Sequence, residues 1–87
     1  MNVEESIVVG RKPIIDYVLS AVVLFNQGAD RVIVKGKGEE ISKAVDVVNS
    51  ILERIGDTVK VKDVKIGSSN VKGRLTSFIE IVLERIF

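Results

Sequence analysis

Cysteine and histidine are both absent from this 87-residue sequence. Without cysteine there is no disulfide and no thiolate metal site. Without histidine, the usual general base near neutral pH and the commonest metal ligand are missing. The carboxylates do not fill the gap. Asp16 and Asp46 fall inside helical segments, and no acidic pair is poised for acid–base work. Ser68 and Ser69 have no imidazole to activate them. Catalysis lacks its parts, so neither enzyme activity nor a cofactor is expected.

Long hydrophobic runs are lacking too. The longest uncharged apolar stretch, Tyr17 to Phe25, falls far short of the ~20 residues that span a bilayer. It also lies too deep in the chain, behind Asp16, for a signal peptide. A cytoplasmic protein is expected. The high charged fraction, the low Asn and Gln content and the missing cysteine fit a thermophile.

The composition bounds the rest. The length predicts one domain over residues 1–87. A chain of this size buries only about 60–65% of its unfolded surface, so it is marginally stable alone. With no disulfide or metal available, oligomerisation is the remaining route to stability. The apolar fraction of 46%, mostly Val and Ile, is high for so small a monomer. Part of that surface is expected to meet another chain.

The hydrophobic pattern predicts β-α-β-α-β-β. Residues 1–5 read as a polar lead-in and Ser6–Val9 as a strand. Pro13 suits the first turn of a helix, where its missing N–H costs nothing. That helix runs to Phe25 or Asn26, and Gly28 suits the left-handed position after its end. It is apolar on nearly every side from Tyr17 to Phe25, which predicts burial on more than one face. Arg31–Lys35 is a β-branched run and reads as a central strand. Ile41, Ala44, Val45, Val48, Ile51, Leu52 and Ile55 have helical spacing over residues 39–55, and Gly56 ends the segment. Thr58–Ile66 alternates with a one-residue slip, which predicts a β-bulge near Lys62-Asp63. Gly67–Arg74 reads as a loop. Leu75–Phe87 reads as a long strand with Ile79, Ile81 and Leu83 on one face and Phe78, Val82 and Ile86 on the other, both covered.

One α/β layer pair satisfies this order: a mixed four-stranded sheet with two helices on one face. The first two strands are expected to be parallel to their neighbours, and the last two to form an antiparallel hairpin with a projecting tip.

The formal net charge is only +1, yet cations gather in three short glycine-punctuated segments. These are Gly10-Arg11-Lys12-Pro13, Lys35-Gly36-Lys37-Gly38 and Lys72-Gly73-Arg74. Local cationic turns on a small scaffold suit a phosphate backbone. Arg11 and Lys12 lie at a strand-to-helix junction, beside exposed N–H groups. Lys35 and Lys37 also fall between a strand and a helix, but the spacing matches neither a Walker A loop nor a dinucleotide fingerprint. Glu39 and Glu40 argue against a free phosphate seated there. Lys72 and Arg74 top the last hairpin, and Lys65 lies near its base, within reach of a phosphate. Each cluster also reads as an ordinary solvated turn, and Lys60 and Lys62 as an ordinary solvent face. No aromatic constellation for stacking bases is evident, which argues against single-strand readout.

The segments Val9-Gly10-Arg11-Lys12-Pro13, Tyr17-Val18-Leu19, Phe25-Asn26-Gln27-Gly28, Ile33-Val34-Lys35-Gly36-Lys37-Gly38 and Ile41-Ser42-Lys43-Ala44-Val45-Asp46 together resemble the Alba family of archaeal chromatin proteins. The resemblance covers essentially the whole chain. It implies the element order read above, a dimer, and two hairpin arms that extend toward the minor groove of DNA. It further implies non-specific, cooperative coating and compaction of double-stranded DNA, with RNA as a further ligand and a location on the chromosome. Carried over, Arg11 and Lys12 are the basic pair of the first turn. Lys35, Lys37 and Lys43 share its face, and Lys72 and Arg74 lie in the arm.

This chain departs from the family pattern. Arg11 stands where the family's regulatory acetylation falls on a lysine. Glu39 replaces a residue that is basic in many members. Ile55 lies near the family's common aromatic contact between dimers, and the arm is short. These departures resemble a divergent second paralogue that pairs with the main form. Two alternatives follow: a heterodimerising subunit that modifies another Alba chain, and an RNA-binding subunit of an RNA-processing particle.

Overall fold

Alternating β-branched runs and helical spacings become seven elements in the structure, a computed structural model that describes residues 3–87. They are β1 (Glu4–Val8), α1 (Ile14–Asn26), β2 (Arg31–Lys37), a 3-10 turn (Gly38–Glu40), α2 (Ile41–Ile55), β3 (Val59–Val71) and β4 (Arg74–Arg85). Of the polar lead-in, residues 1 and 2 lie outside the described residues, and Glu4 and Glu5 belong to β1.

The sheet order is β1-β2-β4-β3. β1 runs parallel to β2, while β4 is antiparallel to both β2 and β3. The expectation that β2 is parallel to its neighbours therefore holds on one side only. The last hairpin inserts β4, not β3, beside β2. The patterning explains the choice. β4 carries Ile79, Ile81 and Leu83, which bury well in a central strand, whereas lysine-rich β3 suits an edge.

Both helices pack on one face of the sheet. The core between the layers includes Val18, Val32, Val34, Val47, Ile51 and Leu83, all fully buried. Gly36 sets the distance between α2 and β2. A Cβ there would stand 2.6 Å from the Glu40 carbonyl oxygen and 2.8 Å from the Ala44 Cβ. Its lack of a side chain thus serves packing against α2, and not the approach of a phosphate.

α1 ends as its sequence predicts. Gly28 is left-handed (φ 104°), and the N–H groups of Gly28 and Ala29 donate to the carbonyls of Phe25 and Leu24 at 3.1 Å each. Arg85, arriving from β4, donates to the Phe25 and Ala29 carbonyls and places its cation where the helix dipole is negative.

The predicted bulge is present, with the register shifting between Val61 and Asp63. Its effect is to keep Val61, Val64 and Ile66 opposite Leu83, Ile81 and Ile79, on the helix side of the sheet.

Several expectations are corrected. Lys35-Gly36-Lys37 is not a turn but the end of β2, paired with Glu80, Ile79 and Phe78. Gly67–Val71 is not loop but strand, and the true turn is Lys72-Gly73. Both turn residues have positive φ (52° and 79°), as a type I′ hairpin turn requires. α1 is not buried on more than one side: Tyr17, Val18, Ala21 and Phe25 are buried, while Leu19 and Val23 are 47% and 49% exposed. Nor is β4 covered on both faces. The face bearing Phe78 and Val82 has no helix against it.

Candidate nucleic-acid interface

The first basic turn is held from inside. The backbone N–H groups of Gly10 and Lys12 both donate to the Tyr17 hydroxyl, at 2.8 and 3.1 Å. Lys43 donates to the Gly10 carbonyl at 2.8 Å, with its ammonium 5.6 Å from the centre of the Tyr17 ring. Tyr17 reaches the turn because it lies four residues past Pro13, on the same side of α1. The turn's backbone is thus fixed, while Arg11 and Lys12 stay exposed. Lys43 is half-buried, and one of its donors is spent on the turn, so its position is that of a support.

The strand register places the other candidates. On the face that no helix covers, Val8, Lys35, Glu80 and Lys65 form one row across the sheet. Lys37, Phe78 and Gly67 form the next row. β2 ends at Lys37, but β3 and β4 continue as a free two-stranded arm to the Lys72-Gly73 turn and Arg74. The parallel strands β1 and β2 both end at the level where the arm departs. The Arg11-Lys12 turn, Lys35, Lys37, Lys65, Lys72 and Arg74 therefore all lie toward the arm end of the molecule. A crevice of about 460 Å³ opens at the end of β2, lined by Val8, Lys35, Lys37, Glu40 and Glu80.

Ion pairing is segregated to the opposite end. Arg31 Nε donates to Glu84 Oε2 at 2.8 Å, Lys62 Nζ lies 3.4 Å from the same oxygen, and Glu4 lies 3.9 Å from Arg31. The hydrogen bond from Arg31 is the main reason that the Glu84 carboxyl is held below its ordinary pKa. The same bond raises the Arg31 guanidinium. Among the described residues, none of the candidate cations at the arm end has an ion-pair partner within 4.0 Å. A face neutralised at one end and cationic at the other can attract a polyanion at that end alone.

Sequence reasoning missed three residues. Tyr17 reads in the sequence as part of an apolar helix and of a family-like segment, with no role at the turn, although a lone tyrosine one turn after a Gly-Arg-Lys-Pro segment is a usable signal. Arg85 had no sequence signal for its role at the end of α1, because the contact spans 60 residues. Phe78 was assigned to a covered face that is in fact open.

Known proteins resemble this chain in sequence and in fold. The Alba family model matches residues 5–68. The chain is 47% identical to the DNA/RNA-binding protein Alba 2 of Saccharolobus solfataricus, over 99% of this chain and 97% of that one. It is 40% identical to the DNA/RNA-binding protein Alba 1 of Archaeoglobus fulgidus, over 94% and 97% respectively. The structure of Alba from Thermoplasma volcanium superposes with a TM-score of 0.86 at 36% identity, covering 92% of this chain and 99% of the other. With sequence and fold in agreement, this chain belongs to the Alba family, whose named relatives are nucleic-acid binders and not enzymes.

Proposed function

We propose that this protein is a chromatin protein that coats and compacts double-stranded DNA as a dimer, without sequence preference, and that it also binds RNA. The observation that carries this reading is the unpaired cationic end: Arg11, Lys12, Lys35, Lys37, Lys65, Lys72 and Arg74 around the root and tip of one arm. Phosphate contacts from the fixed turn would supply affinity, and the arm would set the position in the groove. Lys43 acts by holding the turn.

The dimer reading rests on uncovered apolar surface. Val61, Val64, Ile66 and Leu75 are 41%, 51%, 75% and 78% exposed. All lie on the helix side of the sheet, along edge strand β3 and the arm, where a second copy would bury them. Such a dimer presents two arms and two cationic ends to one duplex. The same surface would also accept a paralogue. Competitive titration of duplex DNA against duplex RNA, with sedimentation equilibrium on the same samples, tests the proposal. A folded monomer that binds neither duplex contradicts it.

A further inference from the structure

Phe78 is an aromatic residue on an open sheet face. Its cross-strand partners are Lys37 on one side and Gly67 on the other. The ring lies over Gly67, so that a Cβ added there would stand 2.8 Å from Cζ and 3.0 Å from Cε2. Gly67 thereby leaves room for the ring to lie across β3, with part of it still in solvent. Lys35 and Lys65 belong to the row on one side of Phe78, and on the other side the Thr76–Ser69 pair and then Arg74 continue the same face up the arm. Glu80 stands in the row between Lys35 and Lys65, and Glu40 lines the adjoining crevice with Lys35 and Lys37.

A partly exposed aromatic ring on a sheet, flanked by cations and followed by hydroxyl groups, has the parts needed to hold an unpaired base. The ring stacks on the base, the lysines hold the phosphates on either side, and the hydroxyls can donate to or accept from a base edge. A duplex keeps its bases stacked on one another and has none to offer. We propose that Phe78 and its surrounding cations form a site for single-stranded nucleic acid, distinct in ligand from the duplex contacts. This site rests on the nucleic-acid-binding reading above and extends it to loops, bulges and ends.

The chain has no tryptophan, so Phe78→Trp places a single indole reporter at the site. The ligands are a 12-nucleotide oligo(rU), a 12-nucleotide oligo(dT) and a blunt DNA duplex. Single strands should quench the indole emission on binding, and the duplex should not. The rU and dT arms decide whether the site prefers RNA. Phe78→Leu keeps an apolar cover over Gly67 but has no π-face. It should lose single-strand affinity by about tenfold while keeping duplex affinity within about twofold, and Phe78→Tyr should restore the loss. Stacking is not counterion release, so the loss should persist at high salt. Wild-type single-strand affinity in a folded Phe78→Leu variant, or unchanged indole emission at saturation, would overturn the site while leaving duplex binding intact. If the wild type binds duplex no better than single strand, and neither responds to salt, the proposed function itself fails.

Discussion

Lys43 Nζ donates to the Gly10 carbonyl oxygen at 2.8 Å, so a cation of α2 braces the basic turn that follows β1. Tyr17 braces the same turn from α1 by accepting two of its N–H groups. The two side chains act on one object, so their contributions should not add.

A double-mutant cycle checks this. Tyr17→Phe removes the acceptor and should destabilise the fold by about 1–2 kcal/mol. Lys43→Met removes the donor to Gly10. The coupling energy between them in urea unfolding should exceed about 0.5 kcal/mol. Both variants should also bind duplex DNA more weakly, although neither changes Arg11 or Lys12.

Gly36 fixes how closely α2 approaches β2. Gly36→Ala would drive a Cβ to within 2.6 Å of a backbone oxygen, which no side-chain rotation relieves. The variant should lose about 2–3 kcal/mol, seen as a lower urea midpoint at unchanged slope.

Much of the fold was legible in the residues. The Pro13 start and Gly28 stop frame α1, helical spacing marks α2, and the slipped alternation marks the bulge at Val61/Asp63. What failed was longer in range. Lys35-Gly36-Lys37 read as a turn because glycine and lysine are poor strand formers, yet pairing with Phe78, Ile79 and Glu80 holds the segment extended. Gly67–Val71 read as a loop for the same reason, and cross-strand pairing again overrode local preference. The candidate cations could be named from sequence. Their gathering at one end could not, because it depends on the β2–β4 register. The Tyr17–Lys43 brace likewise joins residues brought together only by helix packing.

The Arg31–Glu84 pair gives a dependence on pH. The Glu84 carboxyl is held below its ordinary value of 4.5, chiefly by the hydrogen bond from Arg31. A depressed carboxyl contributes stability above its unfolded-state pKa and loses it as pH falls through the folded-state value. Glu84→Gln should therefore melt slightly below wild type at pH 7. The gap should close on acidification below about pH 4.5, as Glu84 takes up its proton. The effect should be small, since the pair is screened by solvent. A gap that widens in acid would refute this assignment.

The central claim is that phosphate contacts from one cationic end supply the affinity. Its most direct test is the salt dependence of duplex binding. If two copies bind together as proposed, with roughly 4–8 phosphate contacts between them, log affinity should fall linearly with log salt, with a slope of about −4 to −7. Lys12→Ala should weaken binding to every sequence tested and flatten the slope by about 1–2, one contact per protomer. A salt-independent affinity, or a Lys12→Ala variant with the slope and affinity of wild type, would contradict the account.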